Sequence, residues 1–236
     1  MKPIPKYLFL HLFLYLIILL MFFSSINILK SEAVSNATAL VVEVKPPWDT
    51  VDPGIAECIL AALNKAENTN RVLIISLDTY GGWLDSAFII GDAIYTARVP
   101  VIGYVSGGKA LSAGTLILLP THVIALAPNA IIGAAQPIAY DPVSGSIKYV
   151  NESKILNPII QKATSYARVR GRNESVAKLF IRSNLVLDAD EALKVGIADL
   201  IALDVNELFS KIRGKVINTT GGTYICLLYT SPSPRD

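Results

Sequence analysis

Three runs of apolar, largely β-branched residues, each separated from the next by a segment with helical spacing, most constrain the fold of this chain. The runs are residues 71–77 (RVLIISL), 99–105 (VPVIGYV) and 121–126 (THVIAL). An unbroken apolar run suits a strand that is covered on both faces, as in a parallel sheet. Because helices connect parallel strands through right-handed crossovers, the alternation predicts an α/β fold of stacked βαβ units around a mostly parallel sheet.

Weaker signals extend this pattern along the chain. Asp52 followed by Pro53 is typical of a helix N-cap and first helical position, and the apolar spacing carries that helix to about Glu67. The pair Asn157-Pro158 predicts another helix start, after a loop over residues 137–148, with the helix ending near residue 170. Further strands are predicted over residues 39–44, 130–133 and 198–202, and further helices over 84–96, 112–119, 173–181, 189–195 and 204–211.

The apolar fraction of the chain is 52%, and much of it is concentrated near the N-terminus. Residues 7–23 contain no charged side chain, and Lys2 and Lys6 precede them. A basic start followed by an apolar run is typical of a signal peptide or a membrane anchor, and these two readings stay open. We therefore predict a signal peptide or anchor over residues 1–36, a membrane-associated protein, and a domain outside the cytoplasm.

The C-terminal residues follow no recognisable spacing. Residues 226–236 (CLLYTSPSPRD) match neither the helical nor the strand period. We predict one folded domain over residues 37–220 and a truncated or non-native tail over residues 221–236. A genuine disordered terminus is the alternative.

Charge and composition exclude some function classes. The formal net charge is only +2, and the sequence has no basic stripe, so nucleic acid is not an expected partner. The chain has two cysteines and two histidines, too few and too scattered to indicate a metal site. We expect neither a metal nor a cofactor.

The segment of residues 103–115 (GYVSGGKALSAGT) places Ser112 in a turn of small residues between a predicted strand and a short apolar helix. Such a turn holds a serine hydroxyl on a rigid support, and the amides at the start of the helix can face an oxyanion. Close helix packing would require the same small residues. The segment alone therefore leaves a nucleophile and a packing role open.

The histidines make a Ser-His-Asp triad a poor explanation. His11 lies in the apolar N-terminal run, and His122 begins a strand only ten residues after Ser112, where a structural role is favoured. The remaining candidate base is a lysine, which acts as a base only when desolvation or neighbouring dipoles favour its neutral form. Lys109, three residues before Ser112, is expected to be solvated.

Three motifs in order carry a family resemblance: LDTYGG (residues 77–82), ALSAGT (110–115) and IIGAAQPI (131–138). Together with DADEALKVGIADLIA (188–202), they resemble the ClpP/crotonase-type fold, and more closely the membrane-bound serine proteases of the NfeD class, partners of stomatin-like proteins. Each motif alone is weak, whereas their order and spacing are specific. The resemblance covers about residues 39–225.

The resemblance also suggests which lysine serves as the base. In the ClpP branch a histidine precedes a Gln-Pro pair, and here Ala135 precedes Gln136-Pro137. In the NfeD class a lysine at the start of the following helix replaces that histidine. This implies Lys154, which stands directly before an aliphatic residue, with Lys148 as the second choice. Neighbouring apolar side chains are expected to desolvate Lys154.

The oxyanion hole is likewise implied by the resemblance. Gly81-Gly82 follow a strand and allow a tight turn with free N–H groups. In relatives, the amide after the Gly-Gly pair and the amide after the serine face the oxyanion, which here implies Trp83 and Ala113. Relatives commonly have proline before the Gly-Gly pair, and this chain has Tyr80.

The resemblance implies a serine endopeptidase with a Ser112–Lys154 dyad. It would cleave hydrophobic segments of membrane-associated proteins such as stomatin homologues, and relatives suggest a homodimer. A non-catalytic ClpP-like scaffold that assembles a membrane complex and a crotonase-type acyl-CoA enzyme are the alternatives. An extended hydrophobic peptide is the expected substrate because apolar residues are expected to fringe the site: Leu111, Ile132, Ile138 and Trp83.

Overall fold

The computed structural model describes residues 15–18 and 39–226, and the chain divides into two units, residues 1–32 and 33–236. In the first unit, residues 15–18 are helical. Most of the predicted signal peptide or anchor therefore lies outside the described residues. Within those described ranges, no helix is both long and apolar enough to cross a bilayer.

The second unit alternates strands and helices, as the apolar runs predicted. Its helices are α1 (Pro53–Asn68), α2 (Leu84–Tyr95), α3 (Ala113–Leu118), α4 (Ser153–Val169), α5 (Glu174–Arg182), α6 (Ala189–Lys194) and α7 (Val205–Ile212). Its strands are β1 (Leu40–Val44), β2 (Thr50–Val51), β3 (Leu73–Thr79), β4 (Gly81–Gly82), β5 (Val101–Leu111), β6 (Val123–Leu126), β7 (Ile131–Gly133), β8 (Ile138–Tyr140), β9 (Ile147–Tyr149), β10 (Val186–Asp188), β11 (Leu200–Ile201), β12 (Val216–Thr219) and β13 (Gly222–Ile225).

A seven-stranded sheet forms the centre of this unit, with β1, β3, β5, β6 and β11 as parallel neighbours in that order. Residues 73–77 of β3 pair with residues 101–105 of β5, and all ten are buried. Helices cover both faces of these strands, which explains why their sequences are apolar without alternation. The predicted α/β fold with a mostly parallel sheet is confirmed.

Strand β5 is longer than its predicted end at residue 105, because it changes neighbours midway. Residues 102–105 pair with β6, and Lys109–Leu111 pair with β7, which in turn pairs antiparallel with β10. The intervening Ser-Gly-Gly has the composition of a turn. Glycine is required there by a close approach, since a Cβ on Gly107 would lie 2.1 Å from the Cβ of Asp78.

Helix α4 begins at Ser153 and not at the predicted Asn157-Pro158 boundary, so Pro158 lies inside the helix. The N–H groups of Ile155 and Leu156 donate to the Glu152 carbonyl at 2.9 and 3.0 Å and close the first turn. A proline at the sixth position costs one backbone hydrogen bond near the helix start, which the helix tolerates. Lys154 is therefore helical.

Two hairpins lie outside the predicted elements. The predicted loop over residues 137–148 contains the antiparallel pair β8–β9, whose side chains are exposed. Strands β12 and β13 form a second hairpin, followed by the buried Cys226. Residues 222–225, which fall within the predicted tail of residues 221–236, thus form a strand, and residues 227–236 lie outside the described residues.

Candidate active site

Ser112 stands at the junction of β5 and α3 in a sparsely populated backbone conformation. Its φ is 53° and its ψ is −118°, values that typically cost a non-glycine residue about 1–3 kcal/mol. Its N–H donates to the Gly133 carbonyl at 2.9 Å, and its side chain makes no capping hydrogen bond to α3. The hydroxyl is therefore held on a fixed backbone and is not used by the helix that it precedes.

Thr115 fixes this turn, a role that was not predicted from the sequence. The residue is fully buried, and its Oγ1 lies 2.7 Å from the Ala110 carbonyl oxygen and 2.9 Å from the Gly133 carbonyl oxygen. The same Oγ1 accepts the Gly133 N–H at 2.8 Å. One hydroxyl thus joins α3, the end of β5 and the end of β7. The only signal for it in the sequence is a polar residue within an apolar helix.

Gly81 lies directly against the serine. A Cβ on Gly81 would stand 2.6 Å from the Cβ of Ser112 and 3.1 Å from its Oγ, and the φ of Gly81 is 117°. Both the contact and the backbone angle therefore require glycine. Gly114 makes a similar approach from the other side, since its Cβ would lie 2.7 Å from Cγ2 of the fully buried Thr79.

Two amides of the Gly-Gly turn already have acceptors. The Trp83 N–H donates to the Val51 carbonyl at 2.7 Å, and the Gly81 N–H donates to Oγ1 of Thr79 at 2.9 Å. The expectation that the Trp83 amide faces an oxyanion is therefore corrected. The amide is occupied because the short strand β2, which contains Val51, pairs with β4. No sequence pattern predicts β2.

The geometry leaves two other amides for an oxyanion. Amides of successive residues point to opposite sides of a strand. Because the Trp83 amide points to β2, the Gly82 amide points away from it. Ala113 is the first residue of α3, where a backbone N–H has no partner within the helix. The Gly82 and Ala113 amides thus remain beside Ser112 as possible donors.

The two candidate base lysines both lie on the surface. Lys154 is the second residue of α4, and Lys148 is in β9, and both are exposed. The expectation that apolar neighbours desolvate Lys154 is not met in the single chain, because the first turn of α4 faces solvent as far as Ile155. Among the described residues, no hydrogen bond joins Lys154 to Ser112.

Two hydrogen bonds tie the residues before α4 to the segment that follows β7. The side-chain amide of Gln136 donates to Oδ1 of Asn151 at 3.0 Å, and the Val150 N–H donates to the Pro137 carbonyl at 2.9 Å. Gln136 follows β7 by three residues, and the last residue of β7 accepts the amide of Ser112. Lys154 follows Asn151 by three residues. These bonds therefore tie the first turn of α4, which carries Lys154, to the segment that follows β7.

Lys109 is excluded as a neutral base by its partner. Its Nζ lies 2.7 Å from Oδ1 of Asp78 and 4.3 Å from the ring centre of Tyr80. The hydrogen bond to Asp78 raises the pKa of Lys109 above its usual value. Both side chains of the pair are largely buried, so this ion pair is structural and leaves Lys109 protonated at neutral pH.

His122 is excluded by position and by its pKa. Its Nδ1 accepts the N–H of Val101 at 3.1 Å, and Val101 is the first residue of β5. Ser112, in contrast, directly follows the last residue of β5. His122 and Ser112 therefore lie at opposite ends of β5. Burial, with repulsion from Arg170 and Arg172, lowers the pKa of His122 to about 3. The predicted structural role of His122 is confirmed.

The surface around the serine turn is partly apolar, as expected. Ile132, which was expected to contribute to this surface, does not. Ile132 is fully buried in the core because β7 lies between β5 and β10. Leu111 is half-buried. Large apolar side chains that remain exposed are Tyr80 (71%), Trp83 (63%) and Ile138 (56%).

The described residues offer a fixed serine, two amides and, on a helix tied to the segment after β7, an exposed lysine. These parts suit nucleophilic attack on a carbonyl carbon, with the negative charge on the carbonyl oxygen accepted by backbone N–H groups. In the free chain the lysine is solvated, so the nucleophile lacks an engaged base. The site is incomplete in that one respect.

The chain is similar in sequence and in fold to known proteins. The family described as NfeD1b, N-terminal domain, matches residues 41–219. The chain is 41% identical over 174 residues to the membrane-bound protease PH1510 of Pyrococcus horikoshii. The aligned residues make up 72% of this chain and 39% of that protein. The chain is also 27% identical over 198 residues to the membrane protein NfeD1b of Bacillus subtilis, 79% of this chain and 44% of that protein. The chain thus spans about two fifths of the length of the curated relatives it matches.

A solved structure extends the comparison to three dimensions. It is of 1510-N, a membrane-bound stomatin-specific protease, as a lysine-to-alanine variant in complex with a substrate peptide. It matches with a TM-score of 0.74 at 34% identity, and the match covers 85% of this chain and 95% of that one. The chain belongs to the NfeD1b N-terminal domain family.

Proposed function

We propose that this NfeD1b N-terminal domain is a serine endopeptidase in which Ser112 is the nucleophile and Lys154 the base. The observation that carries the proposal is the backbone of Ser112, which is held in a strained conformation between Thr115 and Gly81 while its hydroxyl makes no capping hydrogen bond to α3. A purely structural serine at a helix start normally caps the helix with its side chain, and Ser112 does not.

Each step of the reaction uses a named group. The neutral Lys154 amine takes the proton from Ser112 Oγ as that oxygen bonds to the peptide carbonyl carbon. The Gly82 and Ala113 amides stabilise the oxyanion, and loss of one such donor in other enzymes costs about 3 kcal/mol. As the C–N bond breaks, the Lys154 ammonium returns the proton to the leaving amine. Water then attacks the acyl-enzyme with Lys154 again as base.

A bound substrate would supply the desolvation of Lys154 that the free chain lacks. Lys154 is exposed in the single chain, and an amine is neutral at moderate pH only when it is removed from water. An extended apolar segment bound between α4 and the Gly-Gly turn would cover the lysine and lie against Trp83 and Ile138, which are exposed. Selectivity for apolar peptides follows from this requirement.

The relatives support the substrate class. 1510-N is described as stomatin-specific, and its lysine-to-alanine variant binds a substrate peptide. For this chain we infer an apolar segment of a stomatin-like membrane protein as substrate, with the enzyme itself membrane-associated and its domain outside the cytoplasm. A homodimer is part of the same proposal, and sedimentation of the full chain in detergent tests it.

Peptide hydrolysis by the full chain tests the proposal. The substrate is an apolar peptide from a stomatin homologue, and the variants are Ser112→Ala, Lys154→Ala and the matched control Lys148→Ala. We expect both site variants to lose at least ~1000-fold in kcat/KM and Lys148→Ala to stay within a few-fold of the parent. Hydrolysis retained by Lys154→Ala would assign the base elsewhere.

Two rival functions give different results in the same assay. A non-catalytic scaffold would show no hydrolysis by the parent chain. A crotonase-type enzyme would bind an acyl-CoA, and binding of CoA measured by calorimetry would favour it.

A further inference from the structure

An exposed aromatic ring that the proposed reaction does not use stands beside the serine turn. Tyr80 lies between the end of β3 and Gly81, and it is 71% exposed. A Cβ on Gly81 would lie 2.6 Å from the Cβ of Ser112. Adjacent Cα atoms are about 3.8 Å apart, and a Cα–Cβ bond is about 1.5 Å long. The Cα of Tyr80 therefore lies within about 8 Å of the Cβ of Ser112.

The backbone on both sides of Tyr80 is fixed. Thr79 is fully buried, and its Oγ1 accepts the N–H of Gly81 at 2.9 Å. Thr79 pairs with Ala110 of β5, and Gly81 pairs with Thr50 of β2. Tyr80 is thus held between two paired residues, and its side chain starts from a defined point.

Lys109 holds the ring of Tyr80 from one side. Its Nζ lies 4.3 Å from the ring centre, within the range of a cation–π contact. The same Nζ donates to Oδ1 of Asp78 at 2.7 Å, and the nearby carboxylate of Asp49 also stabilises the ammonium. The ammonium is therefore already compensated, and the ring surface away from Lys109 is open to solvent.

The side chains next to the ring add apolar surface. Leu111 follows Lys109 by two residues in β5, so its half-buried side chain lies on the same face of that strand. Leu111 also directly precedes Ser112. The Tyr80 ring, the methylene stem of Lys109 and the Leu111 side chain thus form an apolar surface close to the nucleophile, which we call the Tyr80 surface.

We propose that the Tyr80 surface is a specificity subsite, where the ring receives an aromatic or large aliphatic side chain of the peptide within two residues of the scissile bond. The inference rests on the proposed peptidase function. An extended peptide advances about 3.4 Å per residue, so side chains at these positions reach a ring that begins within about 8 Å of Ser112. Because the ring is already fixed, it loses little freedom when the peptide binds.

Peptide binding to the full chain in detergent, as its Ser112→Ala variant, tests the subsite without hydrolysis. The probes are two fluorescein-labelled ten-residue peptides that differ only in their four central residues, which are phenylalanine in one and alanine in the other. Adding Tyr80→Ala should weaken binding of the phenylalanine peptide about tenfold, since contact between aromatic rings contributes up to about that factor. Binding of the alanine peptide should change less than twofold.

Two further variants serve as controls in the same background. Tyr80→Phe keeps the ring and should bind both peptides as the parent site does. Val216→Ala removes another exposed apolar side chain, which lines a cavity with His122 at the other end of β5. It should leave both affinities unchanged.

Equal changes for the two peptides in Tyr80→Ala, or no binding of either peptide by Ser112→Ala, would overturn the subsite. Hydrolysis by the chain with Ser112 intact separates this outcome from a failure of the proposed function. Ring-dependent binding without hydrolysis would support the subsite and refute the peptidase. Hydrolysis with the same preference for phenylalanine in the parent and in Tyr80→Ala would refute the subsite and leave the peptidase standing.

Discussion

Replacing Thr115 by valine removes one hydroxyl from the base of the serine turn and leaves the shape of the side chain nearly unchanged. The buried Gly133 N–H then loses its acceptor, at a cost of about 1–3 kcal/mol, and the carbonyls of Ala110 and Gly133 lose a donor. We expect the free energy of unfolding to fall by about 2–4 kcal/mol. For a domain of this size, that change lowers the melting temperature by roughly 5–15 °C.

The same substitution should lower activity, because Gly133 also accepts the Ser112 N–H. A small displacement of a reacting group costs about 100-fold in rate, so we expect a loss of about that size in kcat. Thermal denaturation followed by circular dichroism gives the stability, and peptide hydrolysis well below both melting temperatures gives the rate.

Thr115→Ser is the matched control, since it keeps the hydroxyl and loses one methyl group, worth about 1 kcal/mol. It should retain hydrolysis within a few-fold of the parent. If Thr115→Val loses no more stability and no more activity than Thr115→Ser, the hydroxyl does not fix the serine turn, and the reasoning is refuted.

Three further predictions concern other groups. Gly81→Ala should abolish hydrolysis, because its Cβ would displace Ser112, whereas Gly108→Ala, also at positive φ but with nothing within 4 Å, should keep activity; equal loss in both would indicate backbone strain alone. Lys109→Met should slow hydrolysis less than about tenfold, since this lysine is paired as an ammonium; a loss as large as that of Lys154→Ala would make Lys109 the base. The lowered pKa of His122, about 3 against 6.5 when unfolded, means that the unfolded chain binds the extra proton between those values. Stability should therefore fall by about 2 kcal/mol from pH 7 to pH 5, and less in His122→Gln, as measured by denaturant titration.

The sheet and the position of the serine could be predicted because both depend on local sequence. Residues 72–77 are apolar except for Ser76, which is typical of a strand covered on both faces, and the structure buries all six, with residues 73–77 in β3. Asp52 and Asp188 precede helices and accept backbone N–H groups there, as capping residues do. Ser112 is followed at once by a helix, so its turn was visible in the small residues around it.

The remaining features depend on residues far apart in the chain. The Trp83 amide is occupied because Val51, in a strand of two residues, lies beside it, and nothing in either segment predicts that pairing. Pro158 resembles a helix start, but the Glu152 carbonyl begins the helix one turn earlier. The exposure of Lys154 depends on what covers α4, which its own sequence does not encode.

Covalent labelling of the full chain by a fluorophosphonate, mapped by mass spectrometry, tests the Ser112–Lys154 assignment most directly. The account predicts a single adduct on Ser112, formed at least ~100-fold more slowly in Lys154→Ala and at the parent rate in Lys148→Ala. An adduct on another serine, or an unchanged labelling rate in Lys154→Ala, would contradict it.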